Sequence, residues 1–190
     1  YRVFYNQHGI ILNLPESWLK ANNLTLAATI KKINLCNNNL KLTGLIYCID
    51  INPLLTTKAE ELRANINAQR KILDNYAANL TAKINLAILF TKLDLLAGFC
   101  DFFQVEHNLE TQRALGFALG KPAPNSKLPA NLNRQFDNFI ETLSQQITHK
   151  VHSVRSNVKR TLIREFPLQM ASLRGTITSV LKNVTPHKYN

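Results

Sequence analysis

The chain's most constraining feature is a pair of short apolar runs separated by one long amphipathic stretch. Leu40 to Ile51 contains the run LTGLIYCIDI and Ile84 to Phe90 reads INLAILF. Each has the length of a strand and the near-continuous apolar character of one buried on both faces of a parallel sheet. Between them Asn52-Pro53 has the form of a helix N-cap followed by proline at the first helical position. From there Ala59, Leu62, Ile66, Leu73, Tyr76 and Leu80 recur at helical spacing, which predicts one helix from Pro53 to about Leu80. Strand, helix, strand of this length demands a right-handed βαβ crossover, so the two runs should be parallel neighbours.

Around this unit the elements are shorter. Arg2 to Tyr5 and Gly9 to Leu12, joined by Asn6-Gln7-His8, suit a hairpin. Leu24, Ala27, Ala28, Ile30 and Ile33 suit a helix ending at Asn37-Asn38-Asn39. Residues 121–131, KPAPNSKLPAN, contain three prolines and no periodicity and read as a linker. Beyond it Phe136, Ile140, Leu143, Ile147, Val151, Val154 and Val158 predict one helix from about Leu132 to Arg164, with Pro167 opening a second. The division is therefore an α/β domain over 1–120, a linker over 121–131 and a helical extension over 132–190.

Charge separates the same two parts. The chain has a formal net charge of +11, of which residues 131–190 contribute +6. That density calls for an acidic partner, whether lipid, nucleic acid or protein. His149, Lys150, His152, Arg155, Lys159, Arg160 and Arg164 fall opposite the apolar seam of the expected helix. No aromatic residue interleaves with them, which disfavours nucleic acid. Lys150, Arg155, Lys159 and Arg160 are expected to face outward and to contact a partner or an anionic membrane. Cys36, Cys48 and Cys100 form no CxxC pair and no even set, so a disulfide framework is not expected. No apolar run nears the ~20 residues that span a bilayer.

Thr91-Lys92-Leu93-Asp94 directly follows the second strand. Ligands of open α/β sheets bind at the carboxyl ends of strands. In GTP-binding folds an (N/T)KxD there reads guanine: the aspartate accepts from the ring NH and exocyclic amine, and the lysine stem packs on the base. The alternative is a loop in which Asp94 caps the next helix. Catalysis is not supported. A GxxxxGK(S/T) phosphate loop is absent, and Gly116 to Gly120-Lys121-Pro122 is one residue short between its glycines and has proline at the hydroxyl position. At the end of the hairpin, where an Asp-x-x-Gly would hold magnesium and meet the γ-phosphate, stands Asn13-Leu14-Pro15-Glu16. His149 and His152 lack a third ligand for zinc. No catalytic residue, no metal and no resident cofactor are expected; GTP would require a phosphate loop upstream of Tyr1.

Several segments together resemble the IcmF/TssM family of secretion-system inner-membrane proteins. They are Phe90-Thr91-Lys92-Leu93-Asp94-Leu95-Leu96-Ala97-Gly98-Phe99 with Asp101-Phe102-Phe103, then Gln112 to Phe117 (QRALGF), and Ile163 to Leu173 (IREFPLQMASL). The resemblance implies a partial, degenerate P-loop GTPase-like α/β fold with a mostly parallel sheet, followed by an α-helical extension. It implies a chain that starts after the first strand and phosphate loop, on the cytoplasmic side of the bacterial inner membrane, with membrane spans outside it. It further implies a DotU/TssL-like inner-membrane partner, other secretion-system subunits, and a structural role rather than GTP hydrolysis. The Lys- and Asn-rich composition and the altered Asn13 to Glu16 segment tilt the resemblance toward the type IVB (Dot/Icm) branch over type VI.

Overall fold

The structure is a computed structural model that describes residues 2–7, 9–13, 28, 43–79, 85–104, 115–119 and 128–184. Strands β1 (Arg2–Asn6) and β2 (Gly9–Asn13) form the expected antiparallel hairpin, with Phe4 opposite Ile11. Of the expected helix over 24–33, Ala28 is helical and the rest lies outside the described residues.

Strand β3 (Gly44–Asp50) pairs in parallel with β4 (Asn85–Thr91), in a register that sets Ile46 beside Ala87 and Asp50 beside Thr91. The parallel pairing is as the two apolar runs require. Burial on both faces is not. Leu45, Tyr47, Ile49, Ile88 and Phe90 point toward the core, while Ile46 and Leu89 are 53% and 52% exposed. Strand periodicity of two explains the difference: an unbroken apolar run has two apolar faces, and the described elements cover one.

The crossover is two helices. α1 (Asn52–Thr56) ends at an extended Thr57, and α2 (Ala59–Asn79) then carries Leu62, Ile66 and Leu73 to the core. Asn52 is the first helical residue rather than the cap; its N–H is taken by the Asp50 carboxylate at 2.9 Å. A 3₁₀ turn (Leu93–Leu95) leads from β4 to α3 (Phe99–Gln104).

Three further helices complete the described chain: α4 (Leu128–His152), α5 (Asn157–Ser172) and α6 (Arg174–Val184). The helix expected over 132–164 is thus two, and α4 begins inside the expected linker. The break has local causes. Ser153 Oγ donates to the Lys150 carbonyl at 2.7 Å, Ser156 caps α5 by accepting from the Lys159 N–H, and Arg160 Nε donates to the Val154 carbonyl at 2.6 Å. Pro167 opens no helix and lies buried within α5. A proline inside a helix costs about 3 kcal/mol; burial of Ile163, Phe166 and Met170 on the same face offsets it.

One continuous core joins both parts of the chain, from Ile49, Ile51 and Leu73 to Phe136, Ile163 and Val184. α2 packs on α6, α3 on α5, and α4 on both α5 and α6. Gly98 fixes one of these contacts: its φ is +80°, and a Cβ there would lie 1.9 Å from the Leu162 carbonyl oxygen.

Candidate functional site

The carboxyl ends of β3 and β4 bring the expected guanine motif beside a residue that sequence reasoning had left out. Thr91 Oγ1 donates to the Ile49 carbonyl at 3.4 Å, tying the two strand ends. Lys92 then turns into the left-handed region, φ 60° and ψ 35°, and sends its ammonium back to Asp50, with Nζ 2.5 Å from Oδ2. Asp50 Oδ1 meanwhile accepts from the Asn52 N–H. These bonds, Lys92 first and Asn52 second, hold the Asp50 carboxyl below its ordinary value near 3.8. Asp94 stands exposed in the 3₁₀ turn, and among the described residues nothing pairs with it.

The motif's three residues are therefore together, but Lys92 is directed toward β3 by Asp50. The ion pair engages the ammonium only, in a side chain 60% exposed. Asp94 caps no α-helix, since α3 starts at Phe99, where the chain is turned by the Phe99 N–H to Leu96 carbonyl bond. Asp50 ends β3, and parallel pairing with β4 of the same length puts it beside Thr91. Of the decoy phosphate loop, Gly116 to Leu119 is described and is neither helix nor strand. Asn13 ends β2, and residues 14–16 lie outside the described residues.

The basic set does not form one face. Lys150 is 1% exposed, with its ammonium 4.6 Å from the Phe102 ring centroid and 5.6 Å from that of Phe103. This corrects the expectation that it faces outward. The helix break after His152 ends the predicted outer stripe, and the aromatic faces of α3 attract the cation inward. Phe99, Phe102, Phe103 and Phe166 pack around this point with ring centroids 5.0–5.6 Å apart. Arg160 is half-buried and holds the α4–α5 turn through Val154. Arg155 and Lys159 are exposed, as are His149, His152 and Arg164. Among the described residues no cluster of His, Cys, Asp and Glu could hold a metal, and no helix is long and apolar enough to cross a membrane.

Against this geometry the similarities to known proteins can be placed. The model of the IcmF-related N-terminal domain matches residues 41–189. The chain belongs to that family. The matched span starts just before β3 and includes the Thr91 to Asp94 motif, the α3 aromatics and all three C-terminal helices. Among curated proteins the IcmF-related chain is similar to a type VI secretion system component, TssM1, of Pseudomonas aeruginosa, at 27% identity over 151 residues. That alignment covers 77% of this chain but 14% of the relative. No solved structure matches the chain significantly. The fold class that the structure contains is mixed α/β with a small parallel sheet.

Proposed function

We propose that the chain is a non-catalytic, structural part of a bacterial secretion system, stabilising an envelope-spanning complex together with a DotU/TssL-like inner-membrane partner. Membership of the IcmF-related family over residues 41–189 carries this reading. The relative's name favours type VI, and the Lys- and Asn-rich composition favours type IVB. Its place in the cell is proposed to be the cytoplasmic side of the inner membrane, and other secretion-system subunits are proposed as further partners.

Support for a structural rather than an enzymatic role comes from the sequence, in which both phosphate motifs are missing or altered. The second reading is a GTP-binding switch with its phosphate loop upstream. It is favoured by one observation, the Thr91 to Asp94 motif at the carboxyl end of β4.

Affinity capture of the tagged chain, co-expressed with the DotU/TssL-like protein of the same genome, tests the partner assignment. Co-purification of the two is expected. Failure of a folded chain to retain the partner would reject it.

A further inference from the structure

We draw no further inference here: the strongest candidate, the outer face of the β3–β4 sheet, where Ile46 and Leu89 stand exposed beside Ala87 and Cys48, is an apolar face that carries nothing, since nothing in the structure shows what covers it.

Discussion

Lys150, near the end of α4, places its ammonium over the ring of Phe102 in α3 and is almost completely withdrawn from water. A basic residue that looks like surface in the sequence is therefore part of the joint between the α/β region and the helices. Lys150→Ala should lower stability by about 2–3 kcal/mol, through lost packing of the stem and lost attraction to the ring. Lys150→Met keeps the stem and should lose less. Urea unfolding of both variants measures this, and a wild-type midpoint for Lys150→Ala would contradict the burial.

Gly98 makes the second prediction. Any Cβ at that position meets the Leu162 backbone, and the φ of +80° is adverse to other residues. Gly98→Ala should cost several kcal/mol, roughly the scale of a severe core disruption, whereas Cys100→Ala two residues away, at an exposed position, should be near neutral. Thermal melts of the two variants should diverge accordingly.

Much of this architecture was legible. Two apolar runs bracketing one amphipathic stretch dictate a parallel pair, though not its register. What was not legible depended on tertiary contacts. Periodicity cannot say which face of an apolar strand is covered, so Ile46 read as core and is exposed. The α4–α5 break was written in Ser153 and Ser156, but the apolar spacing of Val151, Val154 and Val158 runs straight through it and masks the cap. Pro167 read as a helix start because its penalty is local while the compensating burial is not. At the candidate site the motif's place was legible; the capture of Lys92 by Asp50 needed the strand register first.

The strand faces give a third prediction. Ile49 is buried and Ile46 is not. Ile49→Asp should destabilise by several kcal/mol, because it buries an unpaired carboxylate. Ile46→Asp should stay within about 0.5 kcal/mol of wild type. Equal loss in both would show that the outer face of the sheet is covered as well.

Acid should weaken the fold through two carboxylates. Lys92 holds the Asp50 carboxyl below its ordinary value, and Arg174, bonded to Asp137 at 2.6 and 2.7 Å, does the same there. A carboxyl group lowered in the folded state contributes its full stabilisation above its unfolded value and loses it as pH falls through the folded one. Stability should therefore decline below about pH 4, and the decline should be shallower in a variant carrying both Asp50→Asn and Asp137→Asn. Urea midpoints across the acid range check this; parallel profiles would remove both pairs from the account.

The claim that this chain serves as structure rather than as a nucleotide switch is tested most directly by titration calorimetry of GTP into the wild-type chain and into Asp94→Ala. Phosphate contacts supply much of nucleotide affinity, and in this sequence both phosphate motifs are missing or altered. The account predicts no saturable heat in the micromolar range from either protein. Micromolar GTP affinity in the wild type, abolished by Asp94→Ala, would contradict it.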